Sequence, residues 1–172
     1  GHCQKRWDYK VIMPDGKTTK VGPKRGKGSG RFNIGIDYVV LDPEKRVNTW
    51  YGGEVVKVAK AKEHDTQYGN RVVIRTNETY NYKGRDYPVY QAYSHLDSYH
   101  VKVGDRVSQG QTIAVMGKSG GTTQDHVDLR TFIITQGTFA ETARKDGQPG
   151  WTELSPNALE NQLKSTTRLA SN

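Results

Sequence analysis

The apolar residues of this chain recur with a period of two, and that period limits what it can fold into. Segments 32–40 (FNIGIDYVV), 52–61 (GGEVVKVAKA), 70–76 (NRVVIRT), 87–96 (YPVYQAYSHL), 111–117 (QTIAVMG) and 126–134 (HVDLRTFII) have strand character. Each is bounded by Gly, Asn, Asp or Pro. Val, Ile and Tyr dominate them, the residues that suit a pleated, half-buried surface. The stretches between them are too short for crossover helices, so the expected fold is mainly β, an antiparallel β-sheet domain with long loops. Residues 77–86 (NETYNYKGRD) read as a turn-rich connection, and 101–111 (VKVGDRVSQGQ) as a glycine-punctuated β-meander. One short helix is expected in PNALENQLKS near the end, started by Ser155 and Pro156, with Leu159 and Leu163 on one face. The expected division is an irregular basic extension over 1–31, a β domain over 32–150, and a tail with the short helix over 151–172.

At 172 residues the chain is long enough to bury one core without staples. Lys and Arg number 26 against 18 Asp and Glu, a formal charge of +8 that favours anionic partners: nucleic acid, anionic lipid or an acidic cell-wall polymer. The basic residues concentrate in KTTKVGPKRGKGSGR, which also reads as a solvated loop. Aromatic stacking platforms do not recur beside it, so nucleic acid is not the expected partner. No apolar run approaches the roughly 20 residues that span a bilayer, and the start GHCQKRWDYK is too polar to be expected to act as a signal segment itself. Gly1 and His2 read as the remnant of a cleaved tag. Cys3 is the single cysteine, so no internal disulfide is expected.

Three polar clusters sit on or beside strands. Asn33 and Asp37 share a face by parity, His95 follows Ser94 at a strand end, and His126, Asp128 and Arg130 alternate on one face of the last strand. A histidine and a carboxylate at that spacing can reach one ion or one substrate. Each cluster also has a plainer reading. Asn33 and Asp37 can make turn hydrogen bonds beside Gly35, and a lone histidine is more often a satisfied, partly buried residue.

Taken together, the motifs RFNIGID, YGGEVVKVA, YGNRVVI, YSHL, VKVGDRVSQGQTIAVMGKSG and HVDL follow one another in a characteristic order. From Phe32 to Phe132 the sequence resembles the LytM/lysostaphin-type zinc endopeptidases of bacterial cell walls, metallopeptidase family 23. The glycine-rich meander also occurs in biotinyl and lipoyl carrier domains, but those lack YSHL. By this resemblance the zinc-ligand positions are Asn33, Asp37 and Asp128, of which only Asp37 keeps the family's residue type. The two histidines that support catalysis without binding metal correspond to His95 and His126, and both are retained.

An Asn/Asp/Asp set is all oxygen. It suits calcium, magnesium or manganese better than zinc, and binds them weakly unless further oxygens such as Asp125 or Asp97 join. His64 and His100 lie outside the motifs. The resemblance therefore implies a catalytically degenerate peptidase-like domain, with no cofactor or a weakly bound divalent cation. Its old active-site groove would bind peptidoglycan or regulate a partner cell-wall hydrolase. The alternative is an active cell-wall metalloendopeptidase with an oxygen-ligand metal site, or with zinc if the family site persists. The implied location is extracytoplasmic, in the periplasm or cell envelope.

Overall fold

A computed structural model describes residues 9–21, 35–62, 68–122, 124–143, 150–155 and 157–170. In chain order their elements are strands β1 (Tyr9–Ile12), β2 (Thr18–Val21), β3 (Ile36–Tyr38), β4 (Arg46–Asn48) and β5 (Gly53–Ala59). They continue with β6 (Asn70–Tyr82), β7 (Arg85–Tyr99), β8 (Arg106–Val107), β9 (Thr112–Met116) and β10 (Val127–Ile134). Helix α1 (Phe139–Ala143), strand β11 (Trp151–Leu154) and helix α2 (Ala158–Ala170) complete the set. The chain is mainly β, as its apolar period predicts. No helix among the described residues is long and apolar enough to cross a membrane.

Two compact units divide the chain. The unit of Gly35–Thr79 and Pro88–Thr131 holds strands in the order β10–β7–β6–β5–β8. In it β3 pairs with β10, and β9 pairs with both β4 and β7. Its core is Val47, Val55, Val72, Ile74, Tyr93, Leu96, Ile113, Val127 and Leu129, all close to fully buried. On β7 every residue from Val89 to Leu96 is buried, so this stretch is covered on both faces instead of alternating. Gln91, Ser94 and His95 are carried inside with it. A buried polar side chain must find a partner there, and this requirement shapes the site described below.

The unit of Gly1–Ile34, Tyr80–Tyr87 and Phe132–Asn172 is built differently. Strands β1 and β2 form an antiparallel hairpin, β1 pairs in parallel with β11, and β11 pairs antiparallel with the end of β10. Trp151 on β11 stacks on Phe132 with ring centroids 3.8 Å apart and an interplanar angle of 12°.

Several expectations are corrected here. Residues 9–12 and 18–21 are strands where the sequence reads as irregular: they pair with each other as a hairpin, and β1 gains its second partner, β11, from the other end of the chain. For the same reason the pairing is not wholly antiparallel: no hairpin turn ties β1 to β11, so either direction was open to it. The connection at 77–86 is mostly strand, narrowed to a two-residue turn at Lys83 and Gly84 with φ of 53° and 78°. Both residues are left-handed, as a tight hairpin turn requires. The meander at 101–111 orders only β8 between turns. A second helix, α1, is present, and α2 runs on to Ala170, past the expected stretch. Pro156, its expected starter, lies outside the described residues.

Candidate active site

The site lies within the unit of Gly35–Thr79 and Pro88–Thr131. On its edge β3 runs antiparallel to β10, with Asp37 directly opposite Asp128 and Ile36 opposite Leu129. This register places the two carboxylates side by side, although they are far apart in the sequence. One step before β10, His126 bridges to Gly117, and its Nε2 stands 4.0 Å from Asp37 Oδ1. The His126 and His95 rings lie 4.8 Å apart, centroid to centroid, tilted by 42°.

His95 has φ of 63°, a left-handed conformation in the middle of β7 that non-glycine residues rarely adopt. The surroundings hold it there. Its backbone N–H donates to Tyr68 O at 2.8 Å, and its ring Nδ1 lies 2.7 Å from Ser119 O. A carbonyl only accepts, so Nδ1 carries the proton and Nε2 is the bare nitrogen of the neutral ring. His126 is fixed by the same logic, Nδ1 donating to Gln124 O at 2.9 Å. Both imidazoles thus keep Nε2 for chemistry.

Three residues quoted in the motifs take their meaning from this arrangement. Asn70 donates through Nδ2 to Leu96 O and Asp97 O, each at 2.9 Å, and its N–H donates to Ser119 Oγ at 3.0 Å. Ser119 Oγ in turn donates to Leu96 O. Gly69, with φ of 63°, lies so close to Ser119 that a Cβ would collide with it. The YGN and GKSG motifs therefore form one clamp on the backbone around His95.

Asp128 occupies a different environment from Asp37. Its side chain is 13% exposed against 49% for Asp37. Its Oδ1 is buried and accepts no hydrogen bond from any described residue. Burial pushes the Asp128 carboxyl above its ordinary value, and neighbouring Asp37 pushes the same way. The guanidinium groups of Arg130 and Arg71 pull the other way, Arg130 the more strongly. Arg130 Nε lies 4.0 Å from Asp128 Oδ1. The guanidinium carbons of Arg71 and Arg130 sit 4.5 Å and 5.1 Å from the centroid of one ring, Tyr68.

The structure thus brings Asp37, His95, His126 and Asp128 into one neighbourhood, while Asn33 and His64 lie outside the described residues. Among the described residues no group of three His, Cys, Asp or Glu stands close enough to hold a metal ion. Asp125, weighed from sequence as an added oxygen donor, is instead engaged by Lys45 in a 2.6 Å ion pair. His100 is exposed, its N–H donating to Ile113 O. Sequence reasoning missed Arg71 and Tyr68 altogether. It placed Arg130 on the right face, but strand parity alone named no partner for it beyond its own strand.

No curated protein matches the chain significantly. Among solved structures, a zinc-containing peptidase from Vibrio cholerae is 28% identical, with a TM-score of 0.49 over 64% of this chain and 31% of that one. The catalytic domain of the antimicrobial peptidase lysostaphin from Staphylococcus simulans is 26% identical, with a TM-score of 0.48 over 64% and 74% of the two chains. A catalytic-domain mutant of the prophage-encoded M23 protein EnpA from Enterococcus faecalis is 22% identical, with a TM-score of 0.49 over 76% and 83%. The profile of peptidase family M23 matches residues 31–138, more than half of the chain and the stretch that holds every residue of this cluster. The chain belongs to peptidase family M23.

Proposed function

We propose that this M23 domain is catalytically degenerate, and that its groove binds peptidoglycan or regulates a partner cell-wall hydrolase in the cell envelope. The observation that carries this reading is the state of Asp128. At a position where the family has a zinc-binding histidine, the chain has a carboxylate only 13% exposed, 4.0 Å from a guanidinium. A tetrahedral zinc site is built from imidazole, thiolate and carboxylate. The Asn33 amide is a poor zinc donor and the Asn33, Asp37 and Asp128 set offers neither imidazole nor thiolate, so it does not fit such a site, and Arg130 brings a positive charge where a cation would have to approach.

What remains is suited to binding. His95 and His126 keep their mutual contact, each with Nδ1 committed to a carbonyl and Nε2 available to hydrogen-bond a peptide N–H or hydroxyl. The net charge of +8 supports a contribution from anionic wall polymers. The test combines three measurements on the purified chain: zinc content by elemental analysis, release of amino groups from peptidoglycan, and co-sedimentation with insoluble peptidoglycan. Substoichiometric zinc, no release and saturable sedimentation weakened by His95→Ala are expected. One zinc per chain, together with cleavage abolished by Asp37→Ala, would sink the proposal.

A further inference from the structure

We propose that Arg130 is the resident cation of this site: its guanidinium takes over the charge-balancing place of a metal beside Asp128 and so sets the groove against divalent cations. This rests on the degenerate reading above and deepens it, by naming the residue that keeps the groove metal-free.

The geometry makes Arg130 a built-in group and not a wandering surface arginine. Its side chain is 20% exposed and that of Asp128 13%, so both heads lie largely out of water, where opposite charges seek each other. The guanidinium is positioned from two directions. On one side is the Tyr68 ring, 5.1 Å from Cζ, a cation–π distance. On the other is Asp128 Oδ1, 4.0 Å from Nε. Gly35 closes in on the stem: a Cβ there would come within 3.2 Å of Arg130 Cγ and 3.0 Å of Asp128 Oδ1. Arg71, buried and 4.5 Å from the same ring, adds a second fixed positive charge to the neighbourhood. A divalent cation seeking Asp128 together with Asp37 must approach a guanidinium that already answers the carboxylate's charge. Repulsion at such a distance is strong wherever water is scarce.

The alternation of His126, Asp128 and Arg130 along one strand gives this device its economy. The residue that replaced the family's ligand and the residue that neutralises it are on the same face, one pleat apart. No motion or second chain is needed to bring them together.

The test titrates zinc(II) and manganese(II), each alone, into the full chain and its variants by calorimetry, with folding checked by circular dichroism. Arg130→Gln removes the charge, and its affinity for at least one of the ions is expected to rise about 10-fold or more over the parent. Arg130→Lys keeps the charge and is expected to show no gain. Adding Asp128→Asn to Arg130→Gln is expected to abolish the gain, since the liberated carboxylate is its source. Should Arg130→Gln not fold, Arg130→Met, which retains an unbranched stem against Tyr68, carries the same test. Affinities for both ions unchanged in Arg130→Gln, or a gain in Arg130→Lys as large as in Arg130→Gln, overturns the inference. Stoichiometric zinc and cleavage in the parent chain overturn the degenerate reading itself. A metal-free, inactive parent with an indifferent Arg130→Gln overturns only the role of Arg130.

Discussion

Asp128 illustrates how far a residue's chemistry depends on its surroundings. The folded chain raises its carboxyl above the ordinary 3.8, chiefly by burial. A carboxyl whose folded pKa is raised adds stability below its unfolded pKa and loses that contribution as pH climbs through the folded value. Asp128→Asn removes the charge that burial disfavours. Its melting temperature relative to the parent is therefore expected to rise as pH goes from about 3.5 toward neutrality, read by thermal melts in matched buffers. Parallel melting curves across that window would show that Arg130 and the other cations cancel the cost of burial. Gly69 makes a second residue-scale case. A side chain there is strained by φ of 63° and strikes Ser119, the residue that anchors the His95 ring. Gly69→Ala is expected to cost about 2–3 kcal/mol in chemical denaturation, and to perturb the NMR signals of His95 before those of His126.

At the scale of elements, β6 and β7 are joined through Lys83 and Gly84, both left-handed. Glycine accepts this without strain, asparagine nearly so, and lysine does not. Lys83→Asn is expected to stabilise by up to about 1 kcal/mol and Gly84→Ala to destabilise by about 1 kcal/mol, measured as shifts in denaturation midpoint at constant slope. Two neutral results would mean that the turn does not govern the stability of these strands. The strands themselves were legible in the alternation of Val, Ile and Tyr, because one buried face per strand leaves a period of two in the sequence. The hairpin of β1 and β2 was not. Lys10 and Lys20 blunt the alternation, and the strand that β1 pairs with beyond its own hairpin comes from residues 151–154. Pairing of that kind depends on chain ends meeting, which no local window records. The continuous burial of β7 from Val89 to Leu96 was also illegible, since a strand covered on both faces loses its period.

At the scale of the whole molecule, a charge of +8 is expected to make attachment to an anionic wall polymer salt-dependent. Sedimentation with such a polymer should fall when salt rises from about 0.05 to 0.5 M, whereas binding through His95 and His126 should fall much less. Restoring the family's zinc donors through Asn33→His and Asp128→His is expected to give tight zinc only when Arg130 is replaced as well, as elemental analysis of the double and triple variants would show. The sequence alone determined the fold class and the family, because alternation, turn glycines and motif letters are local and survive in one dimension. It also marked His95, His126, Asp37 and Asp128 as the positions to examine. Only the tertiary structure decided what those positions experience. Strand register set Asp37 opposite Asp128, burial raised one carboxyl and left the other largely open to water, and Tyr68 held two guanidinium groups beside them. A side chain's charge state and partners depend on which strands become neighbours, and that is settled only when hydrogen-bonded pairing brings distant segments together.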